Sequence, residues 1–487
     1  MLASKGEIEM NISKIVKIIN DIGIKTYSFD YSIYSQYIDL WFSWYKGYDP
    51  AFHVQKEYYG FSKPRVNKKA TLNMGSQVCK DHASLTCNEN ISISVAGNKE
   101  KDFLLGFDEM NGLLGQNDFW SQLASFYEIT CALGTGSYEI VVDNLLDFGT
   151  KIVADDNSRI RLVHHNATEI IPLSWDNNKN IIDVAFVDQY KIKNESFIDL
   201  RIHNLEDSGY VIYNKRLKVF GDNYTIEKDN DTLDKFETHS SIPWFYILKL
   251  PIVNNYDINS PMGMSVYGNA IDVLKNVDDA FNALSIEYKT SAKKVFYNKS
   301  LLNTNDKGEP IDPDTANQTA FYYVGDTNNP MLSQDTPIKE HDPNIRVDEL
   351  TKGLESALGY LSALCGLGNS YYKFTSGSVV KTATEVVSEN SSMYRNIRKN
   401  ELAVEKMLLG LFRGILNISN LLYGTSFDID THISVMFDTS IIEDKSSIRE
   451  RDLKEVELGI MTIDEYREKW YNVNRRDTSN KTKVDME

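Results

Sequence analysis

The chain has 487 residues, 42% hydrophobic and 25% charged, with 52 Lys and Arg against 69 Asp and Glu and a net charge of −17. At about 100–200 residues per domain there is room for two to four domains, and this balance excludes global disorder. So acidic a chain is ill suited to tight, nonspecific binding of duplex nucleic acid, which relies on phosphate neutralisation, though it is compatible with surrounding DNA without holding it.

Residues 1–24 place Ile8, Ile12, Ile15, Val16 and Ile19 at helical spacing among Lys5, Glu7, Glu9, Lys14, Lys17 and Asp21. That is a surface amphipathic helix with no continuous apolar stretch, so no signal peptide is expected. No run approaches the ~18 apolar residues of a membrane span. The four cysteines, Cys79, Cys87, Cys131 and Cys365, are scattered, with no C-x-x-C pair. They read as free, partly buried thiols of a soluble intracellular protein.

Leu40-Trp-Phe-Ser-Trp-Tyr-Lys-Gly47 reads as an amphipathic helix with its turn, followed by a polar loop holding Lys63, Arg65, Lys68 and Lys69. The same basic run is compatible with a patch that meets nucleic acid or an acidic neighbour. A helix over 69–85, a turn at Asn88-Glu-Asn90 and an alternating strand over 91–95 come next. Helix is expected again over 101–133, with Phe103, Leu104, Phe107, Met110, Leu113 and Leu114 on one side. Leu133-Gly-Thr-Gly136 has the look of a phosphate cradle. It runs into a strand (138–142) and not a helix, so it lacks the helix-dipole half of such a site and reads as a turn.

Residues 151–218 form a run of short strands (159–163, 183–187, 197–202, 210–213) and suggest an antiparallel sheet. His164 and His165 are neighbours on a strand, so they face opposite sides and are poorly placed to share a metal. Asp155-Asp156 reads as a turn. After an apolar segment over 241–253, Ser260 as N-cap and Pro261 behind it announce a helix. That helix is expected over 265–292, with Ala270, Val273, Val277, Phe281, Leu284 and Tyr288 on its apolar line. Asp272, Asp278, Asp279 and Glu287 lie elsewhere on the cylinder, and Lys289, Lys293 and Lys294 suit its C-terminal dipole.

Residues 298–344 hold Gly308, Pro310, Pro313, Pro330, Pro337 and Pro343 and one short strand (320–324), a loop-rich module between two long helices. The helix over 346–364 carries Val347, Leu350, Leu354, Leu358 and Leu361. The next, over 382–422, carries Ile397, Val404, Leu408, Leu411, Ile415, Ile418 and Leu422 on one seam and opens on the capping-box pattern Thr382-x-x-Glu385. At about 40 residues it far exceeds the ordinary mean of about 11–12. Between them lies Cys365-Gly-Leu-Gly-Asn-Ser-Tyr-Tyr-Lys-Phe-Thr-Ser-Gly-Ser378, a loop with three glycines, three aromatics and one lysine. A strand over 430–437, a helix over 446–470 and a polar tail complete an α+β chain.

No G-x-S-x-G, H-E-x-x-H or Walker A pattern occurs. The eight histidines (His53, His82, His164, His165, His203, His239, His341, His432) do not group with cysteines or carboxylates at ligand spacing. No catalytic residue, metal ligand or cofactor is indicated. One reading is a noncatalytic structural chain. The alternative is an acidic intracellular enzyme, hydrolase-like, on a mixed α/β body.

The order of features resembles the portal proteins of tailed bacteriophages, particularly the group from phages of Gram-positive hosts. The residues that carry the resemblance are Trp44-Tyr-Lys-Gly47, Ala132-Leu-Gly-Thr-Gly136, and the run from Asn254 through Ser260-Pro-Met-Gly263 to Asp272. They continue in Gly366-Leu-Gly-Asn-Ser-Tyr-Tyr372, Thr382-Ala-Thr-Glu-Val386 with Ser388, Asn390 and Ser391, Phe437-Asp-Thr-Ser-Ile-Ile442, and Gly459-Ile-Met-Thr462. The resemblance implies a ring, commonly of twelve copies, at one capsid vertex, through which double-stranded DNA is packaged and ejected.

By that resemblance, 1–264 is the N-terminal part of the wing, 265–294 and 346–365 are stem helices, and 295–345 is the clip. Residues 366–381 are the tunnel loop, 382–445 the long wing helix with a returning strand, and 446–487 a short crown-like tail. Asn369, Ser370, Tyr371, Tyr372, Lys373, Phe374, Thr375 and Ser376 are then the tunnel-loop residues nearest the DNA. Asp272, Asp278, Asp279 and Glu287 are stem acids facing the channel. Packing of the loop aromatics onto their own helices is the other reading of Tyr371, Tyr372 and Phe374. The implied partners are further copies of the chain, the terminase large subunit, head-completion or adaptor proteins, and the scaffold and major capsid protein. The implied location is the virion, after assembly in the bacterial host cytoplasm, with no membrane contact.

Overall fold

The computed structural model describes residues 12–27, 31–57, 65–88, 91–107, 111–148, 152–193, 195–221, 223–227, 233–291, 293–297, 306, 321–323, 338–372, 383–437, 445–458, 461–462 and 466. Helix α1 (Ile12–Asp21) turns Ile15, Ile18 and Ile19 inward at spacings of three and four. α2 (Tyr31–Tyr45) and the short α3 (Pro50–His53) follow, the latter capped by the Asp49 carboxylate on the Ala51 N–H. The basic stretch after α3 is not a plain loop. It holds an antiparallel pair, β1 (Val54–Glu57) and β2 (Arg65–Lys68). Neither strand has an apolar alternation, so the period-two signal is missing.

β3 (Ser92–Val95) matches expectation closely, while α4 (Met74–Thr86) begins five residues later than expected, because 69–72 runs as irregular chain to its N-cap Asn73. The helix expected over 101–133 does not hold as one piece. It is α5 (Asn98–Leu104), α6 (Leu113–Gln116) and α7 (Phe119–Leu133). Gly106 turns left-handed (φ +75) between α5 and α6, and Phe107 points outward at 95% exposure. Gly134 (φ +81) ends α7 and β4 (Thr135–Asp143) follows at once, the helix-to-strand turn that the Gly-Thr-Gly spacing suggests.

β5 (Leu146–Asp147) and β6 (Ile152–Val153) form a small pair. The strands beyond fall into two sheets. β7 (Arg159–Asn166) joins β4 and β14 (Phe245–Lys249) in the order β14-β4-β7. β8 (Ile170–Trp175), which the alternation reading passes over, β9 (Ile181–Ile192), β10 (Glu195–Glu206), β11 (Gly209–Phe220) and β12 (Asn223–Glu227) form an antiparallel ladder in reverse sequence order, with β13 (Lys235–Glu237) beside β11. α1 packs on one face of this sheet, against Leu173, Val187, Leu200 and Leu217 among others.

Ser260 does not start a helix. Its Oγ accepts from the Met262 N–H in a bend, and α8 (Ile271–Thr290) begins only after a 3-10 turn at Gly268–Ala270. α8 leads to a three-stranded module of β15 (Lys294–Tyr297), β16 (Phe321–Tyr323) and β17 (Ile338–His341). β15 is parallel to β16 and antiparallel to β17. α9 (Val347–Leu364) returns alongside α8. The Arg346 guanidinium meets Glu287 at the module end of the pair (2.9 Å).

α10 (Ala383–Leu422) is 40 residues long, and all seven residues of its expected seam are buried. It comes so close to β14 that a Cβ at Gly414 would lie 2.1 Å from the Tyr246 hydroxyl. β18 (Ile433–Met436) pairs with β3, closing a contact across most of the chain. α11 (Lys445–Glu457) stops well short of 470. Of the remaining residues to 470, only 458, 461–462 and 466 are among those described. All four cysteines are free and buried in the main core, which gathers α2, α4, α7, β4, β14, α8, α9 and α10. Among the described residues no helix is long and apolar enough to cross a membrane.

Candidate functional site: the loop between the long helices and its supports

The loop after α9 starts with a firm foundation. Gly366 and Gly368 both take positive φ, and the Leu367 N–H returns to the Ser362 carbonyl (2.8 Å). Leu367 is buried with Leu85 of α4 and Met393 and Ile397 of α10. His82, fully buried, donates from Nε2 to the Cys365 carbonyl (2.9 Å). Burial pushes the His82 pKa down to about 4, against the raising effect of that bond, so the ring is a neutral structural donor.

Four of the eight expected loop residues are described. Asn369 is exposed and Ser370 half-buried. The Tyr372 hydroxyl donates to Asp81 of α4 (2.6 Å), while Tyr371 sits edge-on to the Tyr372 ring at 5.1 Å and is 38% exposed. The Tyr372 ring lies against the core and its hydroxyl is committed to α4. Lys373, Phe374, Thr375 and Ser376 lie outside the described residues, as does the capping-box residue Thr382.

The four acids of α8 do not share a face. Asp272 is open to solvent, beside Lys275 (2.8 Å). Asp279 is half exposed and bound to Lys69 (2.7 Å), whose ammonium also lies over the Phe52 ring. Glu287 is mostly covered by its pairing with Arg346. Asp278 must be corrected. It is only 3% exposed, receives the Leu72 N–H (2.8 Å), and meets Nε2 of the fully buried His53 (3.0 Å). It faces into the subunit and is closed to any channel. With Asn282 accepting from the Ala70 N–H, three successive acceptors of α8 staple the helix to the 69–72 segment and α3. Asp278→Ala leaves two buried donors unmatched and is expected to cost roughly 2–4 kcal/mol, read as a lower urea midpoint, with a smaller loss for Asp278→Asn.

One polar cluster escapes the sequence altogether. Glu139 of β4 is 1% exposed, and its carboxylate accepts from His165 Nε2 of β7 (2.8 Å) and His203 Nε2 of β10 (2.9 Å). Arg201 Nε of β10 completes the set (2.9 Å) and reaches on to Asp188 of β9 (3.1 Å). The cluster therefore ties the three-stranded sheet to the larger one. Burial alone raises a carboxyl pKa. Here Arg201 and the two imidazoles outweigh it and hold Glu139 far below the usual carboxylate range. Burial likewise lowers His165, but its bonds to Glu139 and Glu169 lift it to about 9. His164 faces the other way, towards Phe126 and Tyr138. Glu139, His165 and His203 are separated by 26 and 38 residues, so no spacing rule finds them. Among the described residues no group of three or more His, Cys, Asp or Glu side chains is arranged to hold a metal ion.

These polar groups all serve to join elements: β4 to β10, α4 to the loop base, α8 to α3. The family model for phage portal proteins, SPP1 Gp6-like, matches residues 32–481, and the chain belongs to that family. The family is structural and non-enzymatic, so the hydrolase-like alternative falls. No curated protein matches the chain.

Proposed function

We propose that copies of this chain form a ring, of about twelve subunits, at one vertex of a tailed-phage capsid. Its central opening passes double-stranded DNA inward during packaging and outward on ejection. The observation that carries this is the family match across 32–481, nearly the whole chain. The antiparallel α8–α9 pair supports it, with the β15–β17 module at one end and the loop into α10 at the other.

In this reading α8 and α9 are the stem and 295–345 the clip that meets the terminase large subunit and later the head-completion or adaptor proteins. Residues 366–381 are the tunnel loop, α10 and the mixed N-terminal body the wing, and 446–487 a short crown. The scaffold and major capsid protein surround the ring in the virion of a phage of a Gram-positive host, assembled in the host cytoplasm. Asp272 and Asp279 are the stem acids still open to face the channel, where negative charge limits sticking of phosphate. Asn369, Ser370 and Tyr371 lead towards the constriction, and Lys373 meets the DNA backbone as a mobile point charge.

The oligomer is tested by light scattering on purified protein, which should give a mass near a dozen times 55.6 kDa; monomers under all assembly conditions would refute it. The loop is tested separately. Lys373→Glu is expected to leave ring formation intact and to lower the yield of DNA-filled heads. Filled heads at the wild-type level would remove the tunnel role of Lys373.

A further inference from the structure

α10 distributes its charge unevenly. Between 391 and 422 every charged side chain in the exposed class is basic: Arg395, Arg398, Lys399, Lys406 and Arg413. Glu401 is buried and Glu405 half-buried. At 3.6 residues per turn these five cations fall within an arc of about 100°, and the row is about 27 Å long. Among the described residues, only Arg398 of the five is ion-paired, to Glu401 (2.8 Å). Lys249 of β14 lies close enough to Lys406 that their repulsion adds to burial in lowering the Lys249 pKa.

A chain with 69 carboxylates against 52 cations has acid to spare, yet among the described residues Arg395, Lys399, Lys406 and Arg413 have no carboxylate partner. Such a row is self-repelling until an acidic surface covers it. Leu402, 51% exposed, stands in its middle, between Lys399 and Lys406. Arginines around an exposed leucine suit a protein contact, where Arg is enriched and the centre is apolar. A phosphate backbone has no use for the leucine. The acidic surface closest to hand is that of the chain itself, and a ring closes when one face of each copy meets a different face of the next.

We infer that the basic row Arg395–Lys399–Lys406–Arg413 is a docking surface for exposed carboxylates of the neighbouring copy. This rests on the ring reading above. The experiment uses the full chain and begins with wild-type rings from an equal mixture of isotopically light and heavy copies. A zero-length carbodiimide cross-linker then joins lysines to touching carboxylates. Mixed light–heavy cross-links from Lys399 or Lys406 to Asp or Glu are expected, and their absence overturns the inference. The triple variant Arg395→Glu, Lys406→Glu, Arg413→Glu changes only exposed positions. It is expected to keep the wild-type circular dichroism and to lose most of its assembled mass at low salt, while Arg395→Lys, Arg413→Lys keeps it.

If wild-type protein forms no rings, the ring reading fails, whatever the variant does. If wild-type rings form and the triple variant assembles equally well, the docking surface fails alone. Variant rings that are intact but no longer retain a DNA duplex at low salt overturn it in favour of phosphate contact.

Discussion

Glu139→Ala is expected to destabilise the chain by about 3–5 kcal/mol, because it leaves two buried imidazoles and a half-buried guanidinium without their acceptor. Arg201 retains Asp188, but among the described residues His203 keeps only its aromatic neighbours Phe186 and Phe245. Glu139→Gln keeps the shape and removes the charge, so its loss is smaller. The pH profile adds a second signature. His165, raised from 6.5 to about 9, contributes stability that is whole below about pH 6.5 and lost as pH rises through 9. Glu139, held below its ordinary 4.5, contributes stability that is whole above about pH 4.5 and lost as pH falls towards its folded value. The cluster is thus strongest between about pH 4.5 and 6.5. Urea midpoints measured from pH 5 to 9 should fall for the wild type and flatten for Glu139→Gln. Parallel curves for the two proteins would show that the cluster is not the source.

Gly134→Ala is expected to cost about 2–5 kcal/mol, for two separable reasons. The left-handed backbone (φ +81) disfavours any Cβ by about 1–2 kcal/mol. The added methyl also lands 2.4 Å from the Met264 carbonyl carbon and 2.5 Å from its nitrogen, and backbone gives way less readily than a flexible side chain. Overpacking of this kind adds about 1–3 kcal/mol. Gly353 is the control. It lies on the exposed side of α9 with no atom within 4 Å of a built Cβ, so Gly353→Ala is expected to be neutral or stabilising by about 0.5–1 kcal/mol. Thermal or urea unfolding compares the two. A Gly134→Ala chain as stable as Gly353→Ala would mean that α7, β4 and the segment at Met264 do not meet as described.

The two glycines also show what a sequence can and cannot tell. The long helices were legible because Leu354, Leu358 and Leu361, and Ile397 through Leu422, repeat at the helical period over many turns. The Gly134 turn was legible because a strand pattern begins directly behind it. The break at Gly106 was not, since Phe107 continues the apolar period while pointing into solvent. The β1–β2 pair was hidden because Val54-Gln-Lys-Glu57 and Arg65-Val-Asn-Lys68 carry no apolar alternation in sequence. Asp278 looked like any other carboxylate on a polar helix flank. Only the fold reveals that it meets His53, 225 residues away. The loop could be located, by its glycines and the helices either side. Its Tyr372 anchor could not, because Asp81 lies on a helix 291 residues earlier.

The ring is the central claim, and electron micrographs of the purified full-length protein test it most directly. Annular particles are expected, seen end-on, with rotational symmetry and a central hole about as wide as a DNA duplex. Compact single subunits in every assembly condition, or closed particles with no central opening, would contradict it.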